Sequence, residues 1–170
     1  MALVLRRAAI FLFIMMIWAL LAATLAHADG TIVPFTGYRP GTIVVKTSER
    51  HLYYVLGRDK ALEFPVGVGK EGWRWFGRAA IEGKYVRPSW QAPPELAHGH
   101  YGAVIPGGSP RNPMGVAALT MRGGEYAIHG TNNPKSIGGF VSHGCIRMYN
   151  SDITRLYAMV QVGTPVIVEK

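Results

Sequence analysis

The sequence predicts a mainly β domain with one or two short helices. From Gly41 to the C-terminus it consists of short extended segments separated by glycine, proline and polar turn residues. Apolar residues recur at helical spacing in only one segment of this part, near the C-terminal end. Residues 1–28 are predicted below to be a signal peptide or anchor and are not counted here. The remaining 142 of the 170 residues suffice for one domain with its own core and are too few for two.

The first strands are predicted as hairpins. Ile43–Val45 and Leu52–Leu56 are apolar runs on either side of the polar turn Thr47–Arg50. After a second turn, Ala61–Val66 has the two-residue period of a half-buried strand. Pro65 has no N–H to donate, so we expect this strand to lie at a sheet edge or to end there.

A long connection runs from Arg87 to Val116 and contains six prolines and many glycines. Connections of this length inside a compact domain are usually either functional or disordered. Because Trp90, His98 and Tyr101 are interspersed in it, we expect an ordered wall beside a cleft.

The C-terminal third predicts a hairpin, a helix and a final strand. Ala117–Met121 and Glu125–Ile128 flank a turn with two glycines, so the second strand delivers His129 at its end. Ile153–Val160 has helical spacing and follows three polar residues suited to a helix start. Gly163 is expected to end this helix, and the last apolar run of the chain makes the strand.

The N-terminus has the order of a secretory signal peptide over residues 1–28. Two arginines precede the apolar run Ala8–Leu25, and Ala26–Ala28 forms a small-x-small cleavage site. The run is also near the lower length limit for a bilayer span, so a retained membrane anchor is the alternative. Residues 29–40 are then a short linker before a domain at 41–170, which works outside the cytoplasm, in the periplasm or cell wall.

The formal net charge of +8 favours anionic partners, such as wall polymer or a membrane surface. Nucleic acid is not an expected partner in that compartment, and a membrane is expected only through an uncleaved N-terminal segment. Cys145 is the one cysteine, so no disulfide explains its presence in an oxidising compartment. It is either a nucleophile or a small buried apolar residue.

The setting of Cys145 favours a nucleophile. Gly144 leaves the backbone unobstructed, so the amides of Gly144 and Cys145 can point at a developing oxyanion, and Ser142 adds a hydroxyl. Two histidines compete as the base. His143 is two residues away and would reach the thiol only at an awkward angle, whereas His129 approaches from another strand.

We therefore predict His129 as the proton-transfer partner and a supporting role for His143 in holding the turn or the oxyanion donors. The carbonyl of Gly130 is placed to fix the tautomer of the His129 ring, as the third group of a triad does.

Two motifs, His129–Asn132 and Ser142–Met148, resemble the signature of the L,D-transpeptidase catalytic domain of bacterial cell-wall enzymes. The resemblance extends over roughly Gly41 to Lys170. It implies a β-sandwich or barrel, a cysteine acyltransferase without metal or cofactor, and proton exchange between the upstream histidine and the cysteine. Thirteen residues separate the two histidines, toward the short end for the family, and some members have asparagine where Arg147 stands.

The resemblance also implies the reaction. Cys145 attacks the third, L-configured diamino-acid residue of a peptidoglycan tetrapeptide stem, D-alanine leaves, and a thioester remains. A neighbouring stem amine gives a 3→3 cross-link, a protein lysine anchors a lipoprotein, and water makes the enzyme a carboxypeptidase. The sequence does not choose among these acceptors.

Candidate substrate contacts surround this site. Arg147 either binds a stem carboxylate or pairs with an acid such as Asp152. The other candidates are cleft-lining residues and the backbone beside His129: Met114, Tyr126, Gly130, Thr131 and the residues around Trp73.

Three rival interpretations remain open. A papain-like peptidase would place its histidine far downstream of the cysteine, the reverse of the order here. A zinc site can be built from histidine and cysteine, but His98 and His100 lie in a loop and finger spacings are absent. A non-catalytic wall-binding module would not require a thiol.

Overall fold

A computed structural model describes residues 30–170. The predicted signal peptide or anchor lies outside these residues. The strands are β1 (Thr31–Pro34), β2 (Ile43–Lys46), β3 (His51–Gly57), β4 (Lys60–Pro65), β5 (Val68–Gly69), β6 (Gly77–Ala80), β7 (Gly83–Val86), β8 (Trp90–Gln91), β9 (Val104–Ile105), β10 (Ala117–Met121), β11 (Tyr126–His129), β12 (Phe140–Ser142), β13 (Ile146–Arg147) and β14 (Pro165–Glu169). One helix, α1 (Asn150–Met159), and three 3₁₀ turns, Pro94–Leu96, Arg122–Gly124 and Pro134–Ser136, complete the described part.

Two larger sheets build the described part, and two pairs of short strands, β5 with β12 and β8 with β9, add to them. The larger has the order β1-β4-β3-β2-β14-β6, and the smaller has the order β13-β11-β10-β7. The mainly β prediction and the hairpins β2–β3 and β10–β11 are confirmed. The barrel version is wrong, because both of these larger sheets are open and end at β1, β6, β13 and β7.

The main core joins the two sheets and the helix. Ile43 of β2, Phe64 of β4, Leu119 of β10, Ile128 of β11 and Leu156 of α1 belong to one buried cluster. Full burial of each such side chain contributes roughly 1.5–3 kcal/mol. The cluster thus fixes β11, which carries His129, against both the helix and the larger sheet.

The predicted linker 29–40 is wrong from residue 31 onward. Residues 31–34 form β1, which pairs antiparallel with β4. Phe35 then stacks on Tyr53 with ring centroids 4.4 Å apart. An edge strand of four residues tolerates Pro34 and exposes most of its side chains, so it lacks the alternation that marks longer strands.

The helix ends at Met159, four residues before the predicted stop at Gly163. The Nζ of Lys84 donates to the carbonyls of Tyr157, at 2.8 Å, and Val160, at 2.6 Å. A lysine from a neighbouring strand therefore satisfies the helix end, where a glycine was expected to do so. No helix within residues 30–170 is long and apolar enough to span a membrane.

The connection from Arg87 to Val116 is ordered around Asn112. This buried side chain donates from Nδ2 to the carbonyls of Pro88, Ile105 and Pro106 at 2.8, 3.3 and 3.1 Å. The prediction of an ordered segment is confirmed, and β8 pairs with β9 inside it.

Candidate active site

Parallel pairing of β11 with β13 brings the two predicted catalytic residues together. Ile128 pairs with Ile146, and His129 pairs with Arg147. Cys145, one residue before Ile146, therefore lies beside Ala127 and diagonally across from His129. Residues 127 and 129 share one face of their strand, so the thiol and the imidazole lie on the same side of this pair.

The Ser142 hydroxyl bonds to the backbone of the turn that carries Cys145. Ser142 Oγ donates to the carbonyl of Cys145 at 2.6 Å and accepts the amide of Gly144 at 3.2 Å. The Gly144 amide, predicted as an oxyanion donor, therefore donates to Ser142 Oγ in this structure, and its oxyanion role stays a prediction. The Cys145 amide is the other predicted oxyanion donor in the turn.

Two aromatic side chains, Tyr126 and Trp75, also contact this turn at Gly144. Gly144 has a φ of +110°, and a β-carbon there would collide with the ring of Tyr126. That ring stacks on Trp75 with centroids 5.0 Å apart, and Trp75 Nε1 donates to the carbonyl of Gly144 at 3.1 Å. Glycine is thus required here for both backbone conformation and space.

Cys145 is half-buried and free of any disulfide. Burial raises the pKa of its thiol, while a hydrogen bond from the Ala127 amide and the positive charge of Arg147 lower the pKa in part. The resting group at neutral pH is therefore the thiol, and the Ala127 amide stabilises the thiolate when it forms.

His129 is buried at the end of β11, and its Nδ1 lies 2.6 Å from the carbonyl of Gly130. A carbonyl only accepts, so Nδ1 carries the proton and Nε2 keeps a lone pair. Burial lowers the pKa of His129 to about 4, with a further decrease from Arg147 and opposing hydrogen bonds to the carbonyls of Gly130 and Pro113. At neutral pH the ring is an uncharged base.

The His143 ring contacts an aromatic side chain, whereas the His129 ring bonds to a backbone carbonyl. The His143 ring meets Trp73 edge-on with centroids 4.6 Å apart. Burial lowers the pKa of His143, and the charges of Lys70 and Arg147 lower it further. These contacts fit the predicted supporting role at the turn.

The predicted substrate residues are distributed around the turn and the segment after His129. Arg147 Nε is buried without a hydrogen-bond partner among the described residues, and its charge acts on both histidines and on the thiol. Thr131 is buried, and its Oγ1 accepts the Asn133 amide at 3.0 Å. Met114 is half-buried, and its amide donates to Asn112. Their contacts with substrate remain a prediction.

A cavity of about 430 Å³ opens beside this segment. Its wall includes Arg87, Asn112, Thr131, Asn132 and Asn150, and neither the thiol nor the His129 ring is part of that wall. The cavity lies between the 87–116 connection and the loop after β11, as the predicted wall beside a cleft requires.

Sequence reasoning missed four supporting residues: Trp75, Asn112, Ala127 and Asn150. Asn112 and Asn150 act through side-chain bonds to distant backbone, which leave no local periodicity. Asn150 was predicted only as a helix-start residue. Within residues 30–170, no three histidine, cysteine or acidic side chains converge to hold a metal ion.

Known proteins match most of the described residues. Residues 40–168 match the L,D-transpeptidase catalytic domain. The chain is 40% identical over 136 residues to the probable L,D-transpeptidase YbiS of Escherichia coli K12, covering 73% of this chain and 43% of that protein. The chain spans less than half the length of the curated relatives it matches most fully.

Solved structures share the fold. The catalytic domain of the Enterococcus faecium L,D-transpeptidase aligns with a TM-score of 0.61 at 22% identity, covering 79% of this chain and 100% of that domain. L,D-transpeptidase 3 of Mycobacterium tuberculosis, solved with a faropenem-derived adduct, aligns with a TM-score of 0.59 at 16% identity, covering 76% of this chain and 60% of that one. Together with the match over residues 40–168, the fold and the paired motifs show that the chain belongs to the L,D-transpeptidase family.

Proposed function

We propose that this chain is an exported peptidoglycan L,D-transpeptidase that works through a cysteine thioester. The observation that carries the proposal is the half-buried Cys145 thiol, placed diagonally from a buried, neutral His129 whose Nδ1 is held by the Gly130 carbonyl. This is the arrangement of a nucleophile, a base and an orienting group.

In the first half-reaction, His129 Nε2 takes the thiol proton as Cys145 Sγ attacks the carbonyl carbon of the third, L-configured residue of a tetrapeptide stem. The Cys145 amide donates to the resulting oxyanion. When the intermediate collapses, the bond to D-alanine breaks and the imidazolium protonates the leaving amine. The carbonyls of Gly130 and Pro113 favour the imidazolium while it exists.

In the second half-reaction, an acceptor amine attacks the thioester and gives its proton to His129. Cys145 leaves as the thiolate and recovers a proton from the imidazolium. A second stem as acceptor gives a 3→3 cross-link, a lipoprotein lysine gives anchoring, and water gives carboxypeptidase activity. All three use the same acyl-enzyme.

The site of action follows from the N-terminal sequence. The order of basic, apolar and small residues over 1–28 supports export, with periplasm or cell wall as the destination. No cofactor is needed for this chemistry, since thiol, imidazole and backbone donors supply each step.

The test is to incubate the purified domain with disaccharide-tetrapeptide and identify the products by mass spectrometry. We expect D-alanine release with dimer formation, both lost in Cys145→Ala. D-alanine release without dimers would instead identify a carboxypeptidase. Equal product from wild type and Cys145→Ala would refute the proposal.

The base assignment has a separate test in the rate of covalent acylation. The Mycobacterium tuberculosis neighbour carries a faropenem-derived adduct, so faropenem is a suitable probe of thioester-type acylation. We expect His129→Ala to slow acylation by about 10²-fold or more and His143→Ala to have a smaller effect. A larger loss in His143→Ala would reverse the assignment.

A further inference from the structure

Asn150, the first residue of α1, bonds to two backbone segments: the one that follows His129 and the one that precedes the neighbouring strand β10. Its Oδ1 accepts the amides of Thr131 at 3.1 Å and Val116 at 3.3 Å, and its Nδ2 donates to the carbonyl of Thr131 at 3.1 Å. Gly115 and Gly130 make room for it, because a β-carbon on either would collide with Asn150 Oδ1.

The peptide unit between Gly130 and Thr131 connects Asn150 to the catalytic ring. In a trans peptide the N–H and the C=O point in opposite directions. The N–H of this unit donates to Asn150 Oδ1, and its C=O accepts from His129 Nδ1 at 2.6 Å. Asn150, the peptide and the imidazole therefore form one chain of hydrogen bonds, in which each bond polarises the next.

We propose that Asn150 is a positioning residue that holds the Gly130–Thr131 peptide plane and thereby the Nδ1–H tautomer of His129. The tautomer matters because only a ring protonated at Nδ1 presents Nε2 as the base. Without Asn150 the peptide plane is free to turn, and the neutral ring loses the acceptor that selects its tautomer. The catalytic consequence rests on the proposed function, whereas the tautomer does not.

The structural readout is NMR of protein labelled with ¹⁵N-histidine. We expect His129 of the wild type to show the Nδ1–H pattern and Asn150→Ala to show a mixture with the Nε2–H form. Thr154→Ala is the matched control, since it removes a bond at the same helix start, from Thr154 Oγ1 to the Asn150 carbonyl at 2.8 Å, and leaves the Asn150 side chain in place. Its spectrum should match the wild type.

The kinetic readout is the first-order rate of Cys145 acylation by faropenem at saturation, with the half-saturating concentration measured alongside. We expect Asn150→Ala to lower the rate about tenfold with little change in half-saturation, by analogy with hydrogen-bond partners that orient metal-ligating histidines, whose loss costs about 10–100-fold. Asn150→Asp keeps the acceptor for the Thr131 amide and should retain the tautomer and most of the rate. If Asn150→Ala does not fold, the Asn150→Asp variant is used for both measurements instead.

An unchanged tautomer in Asn150→Ala would overturn the proposal, as would a rate within twofold of wild type. A loss of the Nδ1–H form in Asn150→Asp would overturn it as well. Failure of the wild type to act on wall fragments, with the tautomer shift intact, would count against the proposed function and leave the positioning role standing.

Discussion

Gly144 lies in the left-handed region of backbone space, directly against the Tyr126 ring and one residue before Cys145. In Gly144→Ala the added methyl group collides with Tyr126, so the turn has to shift together with Cys145. A displacement of about 1 Å at a reacting group can cost 10²-fold in rate. We expect about a 100-fold loss of acylation rate, measured by mass spectrometry of the faropenem adduct.

Gly163→Ala is the control for backbone strain alone. Gly163 has a φ of +91°, and a β-carbon there meets nothing within 4 Å. The variant should lose about 1 kcal/mol of unfolding free energy through strain and keep its acylation rate. If both alanine variants lost rate equally, the contact with Tyr126 would not be the cause.

At the residue scale the sequence predicted a nucleophile and a base on strands that the fold pairs, and it predicted less of the residues that support them. The positions of Cys145 and His129 followed from a lone thiol, a polar turn and a strand ending in histidine. The bond from the Gly144 amide to Ser142 Oγ was not predicted, and the oxyanion role of that amide stays a prediction. Local sequence does not show which of two nearby acceptors a backbone amide will choose.

Asn112 ties together distant parts of the connection between β7 and β10. Its Nδ2 donates to the carbonyl of Pro88, near the start of the connection, and to those of Ile105 and Pro106, in its second half. Asn112→Ala removes the three hydrogen bonds that this buried side chain donates, each with a net contribution of about 0.5–1.5 kcal/mol. We expect amide hydrogen exchange over residues 88–106 to accelerate about tenfold or more, measured by mass spectrometry.

Asn132→Ala is the comparison variant for this experiment. Asn132 is exposed and makes a single 3.3 Å bond to the Pro110 carbonyl of the same connection. In Asn132→Ala, hydrogen exchange over residues 88–106 should change little. Equal acceleration in β2 and β3 of Asn112→Ala would mean global destabilisation and would contradict a local clamp.

Elements with clear periodicity were predicted well, and elements defined by distant partners were not. The hairpins and the helix carry their signals in adjacent residues. β1 does not, because its four residues become a strand only by pairing with β4. The helix end was misplaced for the same reason, since Lys84 satisfies its carbonyls from another strand.

The buried, neutral His129 makes the stability of the whole molecule depend on pH. Its pKa is about 4 in the folded protein, below the ordinary 6.5. Between these values the unfolded chain binds a proton that the folded chain does not, so stability falls as the pH falls. The contribution is fully present above about pH 6.5 and is lost by about pH 4, which corresponds to about 3 kcal/mol.

Urea unfolding of the wild type and of His129→Gln across this range isolates the effect. Other groups add to acid sensitivity, including Glu49, whose pKa is lowered chiefly by the hydrogen bond from Tyr53. They are common to both proteins, so the difference in unfolding free energy reports His129. Parallel pH profiles for the two proteins would show that His129 does not titrate as described.

The overall architecture was predictable only in outline. Composition, turn signals and two motifs indicated one mainly β domain of the right family. The split into two open sheets depends on pairings between distant segments, such as β14 with β2, which join residues more than 100 positions apart. Such pairings depend on the sum of many side-chain contacts, and no short stretch of sequence contains them.

Cys145, His129 and Asn150 all come from one continuous stretch between residues 129 and 150. The cavity beside them has a shared wall, because the 87–116 connection supplies Arg87 and Asn112 and the later stretch supplies Thr131, Asn132 and Asn150. The two parts also meet where the Val116 amide donates to Asn150 Oδ1. A substitution at that junction is therefore expected to change the shape of the cavity and the backbone beside His129 together.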